Sequence, residues 1–190
     1  MTLGSTLVRG VIGPLFVGHG TQKLFGWFGG HGLEGTGGYF ESLGLRPGRS
    51  HATAAGVAEA VGGALLTLGA ATPLAATMVS GTMVTAIRKA HADNGPWVAN
   101  GGYEYNLVVI AAVTALAERG PGRLSIDASL FPNWRGSAWA ALSLAGAVAG
   151  SYVGTSEPLN PGGRGADEGS IDVAGDPATI DDPAPTGDGS

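Results

Sequence analysis

The stretch HATAAGVAEAVGGALLTLGAA, His51 to Ala71, decides how this chain is read. It is made of Ala, Gly, Val, Leu and Thr with a single formal charge, Glu59, set in its middle. A helix on the surface of a soluble bundle carries a polar stripe about every 3.6 residues. No such stripe appears here, and the run is close to the roughly 20 residues that cross a bilayer core about 30 Å thick. Four further segments of similar character lie outward from it: Gly4 to Val17, Leu74 to His91, Tyr103 to Ala117 and Ser137 to Gly154. Only the break at Thr72 and Pro73 separates the second from the third, and so short a connection implies antiparallel neighbours. The first carries Arg9 inside its apolar run rather than before it, which argues for an uncleaved helix and against a secretory signal. Gly13-Pro14 predicts a bend there. The expected fold is all-α: a polytopic membrane protein with an antiparallel four-helix transmembrane bundle over residues 1–130, a fifth helix within 131–156, and a disordered acidic tail over 157–190.

Composition narrows the functional classes. Charged residues make up 13% of the chain, about half the share in an ordinary soluble domain. The net charge of −5 is uneven, because eight carboxylates stand against only Arg164 from Glu157 onward. That tail is Gly, Pro, Asp, Ser and Thr, too polar to bury enough surface to offset chain entropy. No Lys/Arg cluster suggests nucleic acid. The absence of Cys excludes disulfides, thiolate metal sites and a dithiol relay carried by this chain. His19, His31, His51 and His91 are scattered without i, i+4 spacing, so no metal is expected. A literal G-x-G-x-x-G at Gly30-His31-Gly32-Leu33-Glu34-Gly35 lacks the preceding strand that a dinucleotide fingerprint requires and is a chance match. Small residues recur every fourth position at Thr77, Gly81 and Thr85, at Ala141, Ala145 and Ala149, and at Gly146, Gly150 and Gly154. Such faces let helix backbones approach closely in lipid. Trp134, Trp139 and Tyr152 sit where interfacial aromatic anchors belong.

If the first four helices alternate in direction, the polar residues gather at one end. Helix one brings His19, Gln22 and Lys23 there, helix two carries Glu59 about two turns in, helix three leaves with Arg88, Lys89 and His91, and helix four begins with Tyr103, Glu104 and Asn106. An ionisable group inside a membrane is costly and usually faces the interior with a partner. Arg88 is the expected partner of Glu59. Two readings stand: a polar pocket able to hold an anion, a quinone head group or a proton, or a structural ion pair locking helices two and three. Lys89 is expected to snorkel to the interface, and Arg9, nearer the other end, has no identifiable partner.

The run His19-Gly-Thr-Gln-Lys-Leu-Phe-Gly26, the glycine-rich loop through Leu33-Glu-Gly-Thr36, and Tyr39-Phe-Glu-Ser-Leu-Gly44 resemble the DoxX family, as do Glu59-Ala-Val-Gly-Gly63, Asn100-Gly-Gly-Tyr-Glu-Tyr-Asn106 and Pro121-Gly-Arg-Leu-Ser-Ile-Asp127. These motifs follow the family's order and cover roughly residues 5–130; the fifth apolar segment and the acidic tail depart from its pattern. The resemblance implies a multi-pass protein of the bacterial inner membrane and marks Gln22, Lys23, Glu59, Tyr103, Glu104 and Asn106 as family-typical. It also implies a membrane subunit of an oxidoreductase or oxidative-stress complex. With no Cys and no haem-like His pair, such a subunit has no intrinsic cofactor and needs protein partners, with a quinone as the candidate ligand. The other readings are a scaffold or anchor for partner proteins or copies of itself, and a small-solute or proton pathway.

Overall fold

In the computed structural model, which describes residues 3–161, each of the five apolar segments lies on a long helix. Helix α1 runs Leu3–Phe25 over 23 residues, beyond the expected end at Val17, so Gln22 and Lys23 lie on the helix rather than after it. Pro14 sits within it. A short helix absent from the sequence reading follows, α2, Gly32–Ser42. It takes in most of the glycine-rich hexapeptide, and no strand precedes it. Helix α3 spans Gly48–Leu68 and stops at Gly69, whose φ of 62° is the left-handed conformation that ends many helices. Helix α4 begins at Thr72 with Pro73 in its first turn, where proline's missing N–H costs nothing. Its 15 residues to Ala86 continue through a five-residue π-helical turn, Ile87–His91. Helix α5 is Glu104–Arg119, α6 is the single turn Ile126–Leu130, and α7 is Ser137–Gly154, the fifth apolar segment with unchanged bounds.

The glycines show how the helices are arranged. A Cβ on Gly20 would lie 2.5 Å from the Gly56 oxygen and the Ala60 nitrogen, and one on Gly13 would lie 2.8 Å from the Gly63 oxygen. Early α1 thus meets late α3 and late α1 meets early α3, an antiparallel pair in near backbone contact. Gly13 and Gly20, like Gly56 and Gly63, are one heptad apart and face the same way on their helix. The small-residue stripes noticed in the sequence belong to a different pair. Gly146 packs on Thr77 and Gly81 on Ala147, while the Ser143 hydroxyl donates to the Pro73 oxygen at 2.9 Å. Position numbers rise together along this contact, so α7 runs parallel to α4 and its C-terminal end lies with that of α4.

Charge and size are distributed inside out. Arg9, Glu59, Ser80, Asn106 and Asp127 are buried, and the few bulky side chains fully enclosed are Phe16, Leu66, Val79 and Val113. Outward, Leu3, Leu7, Val11 and Leu15 form a stripe along α1 with exposures of 66%, 58%, 59% and 53%. Val57, Val61 and Leu68 on α3, Leu107 and Val108 on α5, and Leu142, Val148 and Val153 on α7 are exposed as well. Even so, among the described residues no helix is long and apolar enough to cross a membrane. The physical reason lies in the composition: α1 and α3 hold Arg9, Lys23, Arg49 and Glu59, the α-helical part of α4 is short, and α7 is mostly Ala, Gly and Ser, which carry little apolar surface.

The segment expected to be disordered from Glu157 starts out placed. Asn160 is 5% exposed, its amide donates to the Gly44 oxygen at 3.0 Å, and its carbonyl accepts from the Arg46 N–H. The remainder of that tail, from residue 162, lies outside the described residues.

Candidate functional site

Two consecutive turns of α1 present His19 and Lys23 on one face, and α3 presents His51, Ala55 and Glu59 at the same i, i+4 spacing. The glycine seam draws these two helices together. Lys23 Nζ then reaches Glu59 Oε2 at 2.6 Å, with the Glu59 side chain 6% and the Lys23 side chain 24% exposed. This corrects the expected partnership: Arg88 does not meet Glu59. The π-helical turn that ends α4 carries Arg88, which donates to the Ser151 hydroxyl at 2.9 Å and the Thr155 hydroxyl at 3.3 Å, and lies 3.6 Å over the Tyr152 ring. Its guanidinium fastens α4 to α7.

The Lys23–Glu59 pair stands on the wall of a cavity of about 620 Å³, within the range of small-molecule sites. His19, His91 and Asn106 from the expected set line it too, together with Lys89. Much of the rest is apolar or small: Phe16, Leu43 and Leu45, the alanines 54, 55 and 58 of α3, and Gly146 and Gly150 of α7. His51 also lines this cavity, and its Nε2 is buried with no hydrogen-bond partner among the described residues. A buried polar nitrogen without a partner costs about 1–3 kcal/mol, and this one belongs to a residue of the cavity wall. Spacing alone could have found it, since His51 and Glu59 lie two turns apart on one helix face. Tyr39 and Phe40 of the unforeseen α2 form another part of the wall.

The remaining expected residues have local duties. His19 Nδ1 and Gln22 Oε1 are 3.2 Å apart, and the Gln22 amide donates to the Phe28 oxygen. His91 Nδ1 lies 2.7 Å from the Gly101 oxygen. Asn106 donates to Met83 Sδ at 3.3 Å. Glu104 accepts from the Val98 N–H at 2.9 Å while its own N–H donates to the Pro96 oxygen at 2.8 Å, and the Tyr103 N–H donates to Gly95. Tyr103 and Glu104 thus shape the loop between α4 and α5. Among the described residues no three His, Asp or Glu side chains come together as a metal site.

At the opposite end, Arg9 is 6% exposed and has the partners its sequence position did not reveal. Nε donates to the Pro121 oxygen at 3.0 Å, and the two terminal nitrogens donate to the oxygens of Thr67 and Leu124. The Thr67 carbonyl belongs to the last turn of α3, where helix carbonyls lack intrahelical donors and a cation is favoured. Asp127 complements it, accepting from the Ala71 N–H at 2.7 Å and the Thr72 N–H at 2.8 Å. Ala71 has a φ of 44° and no side chain able to cap α4, so the cap comes from 56 residues downstream. Both charges are spent on backbone.

Residues 4–92 match the family model described as DoxX. No curated protein and no solved structure gives a significant match. The matched segment contains α1 to α4, and with them the Lys23–Glu59 pair, His51 and the glycine seam that brings them together. By that match residues 4–92, just under half of the chain, are of DoxX type.

Proposed function

We propose that this chain is a multi-pass protein of the bacterial plasma membrane whose large cavity binds a small molecule with an apolar body and a hydrogen-bonding head, a quinone being the best fit, as a subunit of an oxidoreductase or oxidative-stress complex. The observation that carries the binding reading is the combination on one apolar wall of a buried, paired carboxylate and a buried histidine nitrogen without a partner. An apolar ring would rest on the alanines of α3, and its oxygen would hydrogen-bond to His51 Nε2 or to the Lys23 ammonium. The chain's own part is to bind, orient and screen that head group from water, and electrons would come from a partner protein. Membrane placement is supported by the outward stripe of Leu3, Leu7, Val11 and Leu15 around an interior that holds the charges. In water such a surface would be a liability; in lipid it is the expected arrangement.

Two experiments test these statements separately. The chain has no Cys, so single cysteines can be introduced without background. Asp93→Cys at the cavity end and Asn133→Cys at the other should react with an impermeant maleimide from opposite sides of intact vesicles; equal labelling from one side rejects a spanning bundle. For the ligand, purified protein should bind a short-tailed benzoquinone saturably, and Glu59→Gln should weaken that binding. Equal affinity in the variant rejects the cavity as the site.

A scaffold reading is favoured by one contact. Asn160 holds the start of the acidic segment beside the loop between α2 and α3, and Leu45 of that loop lines the cavity. A partner engaged by that segment would sit near the cavity. Truncation after residue 161 should then release protein partners, and retention of all of them argues against it.

A further inference from the structure

A second cavity, of about 240 Å³, lies at the end away from the Lys23–Glu59 pair. Arg119, at the C-terminal end of α5, and Arg123 and Arg135, in the loops either side of α6, all line it. Gly120 explains how two of them come together: its φ is 87°, and the Arg135 side chain packs across it, 3.0 Å from where a Cβ would stand. Neither the Arg119 nor the Arg135 side chain has a hydrogen bond or ion pair with any described residue. The nearby carboxylates are engaged elsewhere. Asp127, on the cavity wall, has both oxygens on the α4 N-terminus, and Glu118 accepts from the Ser137 hydroxyl at 3.0 Å. On another wall Phe131 stacks on Trp134 with ring centroids 4.4 Å apart, and Trp139 continues the aromatic group 5.6 Å farther on. Leu124 and Leu130 in the same segment are 80% and 65% exposed.

Guanidinium groups bind phosphate oxygens through paired N–H donors. Aromatic rings favour the level of the headgroups in a bilayer. Exposed leucines beside them suit acyl chains and have no use for a free ion. We propose that this cavity binds the phosphodiester headgroup of an anionic phospholipid, seated between Arg119 and Arg135 with the Phe131–Trp134 stack at its side. The site goes beyond the cavity reading above and shares with it only the membrane placement.

The test uses the full chain in neutral detergent, with thermal unfolding and native mass spectrometry as readouts. Phosphatidylglycerol should raise the unfolding midpoint saturably and remain bound in the spectrometer. Phosphatidylcholine at equal concentration and inorganic phosphate should do neither. Arg119→Gln/Arg135→Gln should weaken phosphatidylglycerol binding about tenfold without moving the lipid-free midpoint, because both side chains are exposed and unbonded. Should the double variant fold poorly, Arg119→Lys/Arg135→Lys keeps the charge but loses the paired donors, and an intermediate affinity is expected. Unchanged affinity in these variants, or phosphatidylcholine binding as tightly, overturns the proposal. Equal protection by inorganic phosphate overturns the lipid assignment, since the site would then read the phosphate alone. A failed maleimide test with an intact arginine effect would reject the membrane placement and not the site.

Discussion

The two ends of the bundle use buried charge differently. Around the turn between α3 and α4, Arg9 and Asp127 direct their hydrogen-bonding groups at backbone atoms that the helix ends leave unpaired. At the other end Lys23 and Glu59 pair with each other beside an open cavity, and His51 Nε2 has no partner. The first arrangement spends both charges in holding the fold, although Thr72 Oγ1 beside them is itself buried without a partner among the described residues. The second places its unsatisfied nitrogen on a residue that lines the larger cavity, and that cavity rather than the missing hydrogen bond is what sets this end apart. A buried charge is therefore not by itself a functional sign; what distinguishes the two is whether its partners come from the helix termini or from the wall of a void.

The contrast can be broken in order of expected effect. Arg9→Met should be the most damaging single change, because it removes the donors to one buried and two part-buried carbonyls, and a loss of about 3 kcal/mol is expected. Denaturant unfolding would show it, with quinone affinity unchanged in whatever protein remains folded. Gly20→Ala comes next. Its Cβ would meet the Gly56 oxygen and the Ala60 nitrogen at 2.5 Å, so α1 and α3 must separate at a cost of about 1–3 kcal/mol. Gly18→Ala, with nothing within 4 Å, should instead be neutral or stabilising by up to about 1 kcal/mol. A neutral Gly20→Ala would mean the seam is not the constraint that brings Lys23 to Glu59. Lys23→Met should cost about 1–3 kcal/mol, less than a fully enclosed pair because Lys23 is 24% exposed. Lys23→Met/Glu59→Gln should be more stable than Lys23→Met alone, since the second change removes the stranded carboxylate. A double variant no better than the single would show that the pair is not coupled.

The sequence allowed the five long helices to be read because they follow long apolar runs bounded by Gly, Pro and charge, and α7 matches the span Ser137 to Gly154. It did not reveal α2, whose glycine-rich sequence has weak helix propensity and is helical through packing on α3. The grouping of His19, Lys23, Glu59, His91 and Asn106 around one cavity followed from helix direction alone. The partner of Glu59 did not, because Lys23 and Arg88 stand at similar depth and only the π-helical turn that takes Arg88 toward Ser151 separates them. The caps supplied by Arg9 and Asp127 were equally hidden. They join residues 55 to 115 positions apart, and no local pattern announces such a contact.

The most direct test sets one residue from each end side by side in the same detergent-solubilised protein, measuring thermal midpoint and benzoquinone affinity together. His51→Phe removes a nitrogen that no described residue satisfies, and Asp127→Asn weakens the cap on α4. The expected result is that His51→Phe keeps the midpoint within about 2 °C while weakening quinone binding about tenfold. Asp127→Asn should lower the midpoint by about 4 °C or more, from a cap worth about 1–2 kcal/mol, and leave the affinity of the folded protein unchanged. Equal quinone affinity in both variants, or a loss of binding in Asp127→Asn with none in His51→Phe, would contradict the account that the quinone site lies at the Lys23–Glu59 end while Asp127 serves the fold.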